Sequence, residues 1–125
     1  MSEKHKARLE ETIRQMVAEL LTRRVKDPRV HSVSITRVEL SRDLSVAKIM
    51  YTTVGGSNDL ANIHKGIESC KGFIRGKIKK HLRLRVIPEF VFVYDSSLDR
   101  AMEIEKLLHQ IQEEQQTPEK EEGDA

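Results

Sequence analysis

From residue 63 to residue 82, the apolar side chains Ile63, Ile67, Cys70, Ile74, Ile78 and Leu82 recur at steps of three and four. That spacing puts them on one stripe of a long amphipathic helix. The helix carries two internal penalties. Gly72 and Gly76 lie within it, and each costs about 1 kcal/mol relative to alanine. Between Lys71 and Arg85 the chain also places seven basic residues and no acidic one. The fold must therefore accommodate a helix buried along one side, weakened at two points and strongly cationic elsewhere.

The remaining elements follow from similar patterns. Leu9, Ile13, Met16, Val17, Leu20 and Leu21 mark one face of a first helix over about residues 5–26. It ends at "KDPR", because Pro28 disfavours helical geometry at Asp27. In "HSVSITRVELS", Val33 and Ile35 alternate, then Val38 and Leu40 continue one step out of phase. A bulge near Thr36–Arg37 restores the register. The turn "SRDL" and the run "SVAKIMYTTV", with Ala47, Ile49 and Tyr51 on one face, complete an antiparallel hairpin. "GGSND" ends the second strand and starts the long helix.

Pro88 opens "PEFVFVYD", a third strand apolar on both faces. The valines Val91 and Val93 opposite the aromatic face point to a central position in the sheet. "SSLD" resembles a capping box, with Ser96 as the cap, before a last amphipathic helix carrying Ala101, Ile104, Leu108 and Ile111. The expected architecture is α+β, with helices on one face of a three-stranded sheet. Residues 1–112 form one domain, and 113–125 are expected to be a disordered acidic tail.

Composition narrows the partners. Aromatic residues are 4% of the 125 and tryptophan is absent, so the core must be mainly aliphatic. One cysteine cannot form an internal disulfide. The N-terminus lacks the apolar segment of a secretory signal, and no run approaches a membrane span, so the expectation is a cytoplasmic protein. The net charge is +2, yet residues 113–125 hold six acidic residues and one lysine, which leaves +7 on residues 1–112. A basic body with an acidic tail suits an anionic partner such as nucleic acid.

Lys71, Arg75, Lys79 and Arg83 follow one another at spacings of four beside the apolar stripe. They form either a phosphate-tracking ridge or an ordinary solvated face. A helix restarting at Gly72 would add free amides and a dipole to the first alternative. Gly76 serves either close packing on the first helix or approach to RNA. "KGFIRGKI" echoes the glycine–aromatic motif of RNA-recognition strands, but the second aromatic is missing and the period is helical. Phe90, Phe92 and Tyr94 share one strand face and are assigned to the core. Cys70 has no visible base beside it, and His5, His31, His64, His81 and His109 show no metal-ligand spacing. No P-loop or dinucleotide fingerprint is present. Neither an enzyme, a metal nor a cofactor is expected.

From Ala7 to Ile111 the layout resembles the ribosome-binding factor A family. The resemblance is carried by "VKDPRV", "VELSRDLSVAKIMYT" and "CKGFIRGKIKKHLRLRVIPEFVFVYDSSL" in this order. It implies a type II KH-like domain in which an Ala-x-Gly kink replaces the usual loop, here Cys70-Lys71-Gly72. It further implies a monomeric assembly factor that binds the small ribosomal subunit and its rRNA, assists late maturation and 5′-end processing, and matters for growth in the cold. Membranes and small-molecule substrates are not implied as partners. The residues implied to face rRNA are Lys71, Gly72, Arg75, Lys77, Lys79, Lys80, Arg83 and Arg85, with Arg42 in the hairpin turn. The rival from another class is a protein–protein adaptor that uses its amphipathic helices and binds no RNA.

Overall fold

The computed structural model describes residues 2–124, with side chains as far as residue 115. The chain divides into two compact units, Met1–Asp95 and Ser96–Ala125.

The first unit opens with α1 (Glu3–Glu19), capped by the Ser2 hydroxyl, which accepts from the amide of His5 at 3.2 Å. Its last turn widens into a π-helical segment, Leu20–Arg24, whose Leu20 and Leu21 are buried. The "KDPR" stop is a built element. The Asp27 carboxylate caps a short 3₁₀ turn, Pro28–Val30, and accepts from both the backbone amide and the guanidinium of Arg29. Val30 is thereby driven into the core.

Strand β1 (Val33–Leu40) pairs antiparallel with β2 (Val46–Thr53), and the register shifts between Ile35 and Arg37, where the bulge is expected. The extra residue, Thr36, donates to Met50 O at 3.3 Å and to Asp95 Oδ2 at 3.0 Å. From β2 the chain crosses through α2 (Leu60–Leu82) and returns as β3 (Glu89–Tyr94), parallel to β2. Adjacent parallel strands require such a crossover, and the helix supplies it. The sheet order is β1-β2-β3.

Helices α1 and α2 cover one face of this mixed sheet. Beneath them lie Val33, Ile35, Val38, Leu40, Ala47, Ile49, Tyr51, Phe90 and Phe92, all buried together with Ile13, Val17, Ile67, Ile74 and Ile78. This is the α+β, KH-like layer arrangement that the resemblance implies.

Three expectations need correction. Strand β3 is an edge, not the centre; Val91 is exposed on the face opposite α1 and α2, and β2 holds the middle. Secondly, α2 is a single uninterrupted α-helix through Cys70-Lys71-Gly72, so no new N-terminus opens there. Four buried isoleucines along α2 are worth roughly 1.5–3 kcal/mol each, which outweighs about 1 kcal/mol for each glycine. Thirdly, Gly76 does not pack on α1, since a Cβ there would meet nothing within 4 Å. The glycine that does pack closely is Gly66, which is buried.

The second unit is α3 (Ser97–Asp124), starting one residue after the expected cap at Ser96. Its backbone extends through most of the segment read as a tail, 113–125. The side chains of 116–125 lie outside the described residues.

Candidate nucleic-acid interface

The buried stripe of α2 dictates what its outward face presents. At about 100° per residue, that face runs in order from Phe73 and Lys80, through Gly76 and Gly72, to Lys79 and Arg75. Neither Gly72 nor Gly76 has an atom within 4 Å of where a Cβ would stand. The two glycines therefore form a shallow notch with cationic side chains on both borders, and a ligand can reach the helix backbone there.

The seven cations divide into two groups. Lys71 is half-buried, with Nζ 3.3 Å from Glu68 and 3.8 Å from Glu89. Arg75 lies 3.9 Å from Glu89, and its Nε donates to Pro88 O at 3.4 Å. These two side chains tie α2 to the start of β3. Lys77, Lys79, Lys80, Arg83 and Arg85 are exposed, and among the described residues none of the five forms an ion pair with a carboxylate.

The cluster lies at the C-terminal end of α2. Arg83 caps the helix in the left-handed region at φ 53°, and the amide of Leu84 reaches back to Lys79 O at 3.3 Å. This closing turn ordinarily carries glycine. Lys79, Lys80 and His81 occupy the last turn, where cations are favoured by the negative end of the helix dipole. Positive potential here thus comes from side chains, and not from the free amides expected at Gly72.

Arg42 is exposed on the turn between β1 and β2. That turn is held by the Asp43 carboxylate, which accepts from both Ser41 and Ser45, and these contacts lower its pKa to about 2. The amide of Glu89 donates to Ser45 O at 2.8 Å, so Arg42 stands at the same end of the sheet as the Arg83–Pro88 loop. The expected site residues thus share one end of the first unit, apart from the division in their bonding.

The sequence pattern offered Phe73 only within the rejected RNA-recognition echo and not as a site residue. The residue is 42% exposed, with Lys77 Nζ over its ring, 5.6 Å from the centroid. Its position off the apolar stripe was the available signal. Cys70 is buried, and its thiol donates to Ile67 O at 3.2 Å. Burial raises the thiol pKa, the opposite of what a nucleophile needs.

Known proteins share this layout. The ribosome-binding factor A profile matches residues 5–108. The ribosome-binding factor A of Methylobacillus flagellatus is 46% identical over 102 residues, covering 81% of this chain and 79% of that one. A Thermotoga maritima protein solved in solution superposes with a TM-score of 0.68 at 33% identity, covering 78% of this chain and 92% of that one. A homology model of the Thermus thermophilus ribosome binding factor A, fitted into a cryo-EM map of a 30S complex with that factor, superposes with a TM-score of 0.60 at 22% identity, covering 74% of this chain and 97% of that one. Such agreement in sequence over most of the chain, with the same fold, means that the protein belongs to the ribosome-binding factor A family.

Proposed function

We propose that this protein is a non-catalytic assembly factor that binds the small ribosomal subunit through its rRNA, assists late maturation and 5′-end processing, and supports growth in the cold. Family membership and the 30S complex of the Thermus relative support the partner. The observation that carries the RNA contact is the C-terminal end of α2, where Lys79 and Lys80 border two open glycines and Lys77, Arg83 and Arg85 are also exposed, none of the five paired with a carboxylate among the described residues. Phosphates are the natural ligands of such a surface. Selectivity then comes from RNA shape and not from base-edge hydrogen bonds in a duplex groove. Lys71, Gly72, Arg75 and Arg42 belong to the same surface, with Lys71 and Arg75 placing the helix as well as adding charge. No helix among the described residues is long and apolar enough to cross a membrane.

Engaging about five phosphates gives a log–log salt slope near −3.5 to −4.5 for an rRNA fragment. A salt-independent affinity would refute the phosphate mechanism. Crosslinking to immature small subunits, followed by mapping of the nucleotides, locates the contact.

One observation favours a second activity, protein contact through α3. Leu98, Met102, Ile104, Leu107, Leu108 and Ile111 are each about half exposed. Sedimentation at low concentration distinguishes the two readings, because an adaptor of this kind self-associates or needs a protein partner whereas the RNA-binding factor is monomeric.

A further inference from the structure

We propose that Phe73 is a stacking platform for one unpaired RNA base, set beside the phosphate-binding lysines of α2. This rests on the phosphate-binding role above and adds to it a preference for single-stranded RNA.

Among the described residues, Phe73 is the one aromatic side chain in the group of exposed large apolar residues. A lone exposed aliphatic residue needs no explanation; an aromatic ring amid free cations does. Residues three and four apart on a helix are neighbours, so Phe73 adjoins Gly76 on one side and Lys77 on the other. Gly76 leaves space next to the ring, with nothing within 4 Å of a Cβ position. The Lys77 ammonium lies over one face of the ring, 5.6 Å from its centroid, so a stacked base takes the other face and its phosphate can reach the same ammonium at the ring edge. Lys77 also borders a cleft of about 300 Å³ between α1 and α2, lined by Met16, Glu19, Leu20, Arg24 and His81 as well. The charged side chains of that cleft besides Lys77 are one arginine, Arg24, and one carboxylate, Glu19.

Bases held in a duplex have no free face to offer. A strand crossing the Gly72–Gly76 notch can lay its phosphates on Lys79 and Lys80 and turn one base onto Phe73. Stacking of this kind is tolerant of sequence, since every base has a π-face.

The test uses a short single-stranded ribo-oligonucleotide carrying one 2-aminopurine, titrated with the full chain and with Phe73→Leu and Phe73→Trp. Leucine keeps an apolar side chain of similar size at an exposed site but removes the π-face. Affinity is expected to fall roughly 5- to 100-fold with leucine, with the salt slope unchanged, and to return with tryptophan. Quenching of 2-aminopurine should follow the same order. Leucine binding as tightly as wild type, in a titration where wild type shows its salt dependence, would overturn the stacking proposal alone. A flat wild-type salt response would remove the phosphate-binding reading and this one together. If leucine altered sedimentation and left RNA affinity untouched, the ring would be a protein contact and the proposal wrong.

Discussion

Gly66 on α2 lies directly against Arg29: a Cβ at Gly66 would stand 3.0 Å from Arg29 Cβ and 3.0 Å from Val30 Cγ1. The capped turn after α1 and the long helix therefore approach as closely as a backbone without a side chain allows. Gly66→Ala gains up to about 1 kcal/mol of helix propensity but crowds two atoms close to the backbone, at roughly 1–3 kcal/mol. A net loss of about 1 kcal/mol is expected in denaturant unfolding. Gly72→Ala and Gly76→Ala face open space and should gain up to about 1 kcal/mol each. If all three substitutions shift the midpoint in the same direction, the close contact at Gly66 is wrong.

The division of the cations makes a separable prediction. Lys79→Gln and Lys80→Gln should each flatten the salt slope of RNA binding by about 0.7–0.9, with thermal stability nearly unchanged. Arg75→Gln should also lower stability, by about 0.5–1 kcal/mol, because it loses the Pro88 carbonyl and its exposed ion pair. Equal effects on stability from all three would erase the distinction between anchoring and free cations.

Arg83 holds a left-handed conformation at φ 53°, at a cost of about 1–2 kcal/mol for a side-chain-bearing residue. Arg83→Gly should raise stability by about 1 kcal/mol while weakening RNA binding. Opposite signs in the two measurements are the outcome expected when strain is retained for function. A glycine variant that is less stable would show that the arginine side chain supports the fold.

Acid should destabilise the first unit over a defined window. The Arg29 side chain, then its backbone amide, lower the Asp27 pKa to about 2, and the Ser45 hydroxyl, then its amide, do the same for Asp43. An unfolded aspartate titrates near 3.9 (approximately). Because the folded values are depressed, the stabilisation is complete above about pH 4 and is lost as pH falls towards about 2. Asp27→Asn and Asp43→Asn should each reduce stability at neutral pH and flatten the acid limb. Melting curves from pH 2 to 6 (roughly the window set by these values) give the comparison, and unchanged limbs would contradict both clusters.

The Cys70 thiol, buried and with a raised pKa, should resist a thiol reagent at neutral pH until the protein unfolds. Cys70→Ala should be mild in its effect on RNA binding. Rapid modification of the native protein would contradict the burial.

Local pattern carried much of the fold. The helical period, the alternation in β1 and β2, and the phase slip that marks the bulge at Thr36 are all properties of consecutive residues, and burial of one face enforces them. The edge position of β3 was not legible in the same way. A strand's apolar faces reflect what covers it, and Val91 and Val93 look alike on a central strand and on an edge. Phe73 was set aside with the RNA-recognition echo, although its place off the apolar stripe of α2 marked it as outward-facing.

By itself, the order of residues determined which side chains enter the core and where the positive charge concentrates, since both follow from short-range periodicity and composition. Tertiary structure alone decided that α2 continues unbroken past its glycines, that Gly66 and not Gly76 makes the close contact, and that Glu89 takes up Lys71 and Arg75 while their neighbours stay free. The physical reason is distance along the chain. Glu89 meets Lys71, and Arg29 meets Gly66, only after the crossover has brought remote segments together, and no local pattern records who the neighbours will be.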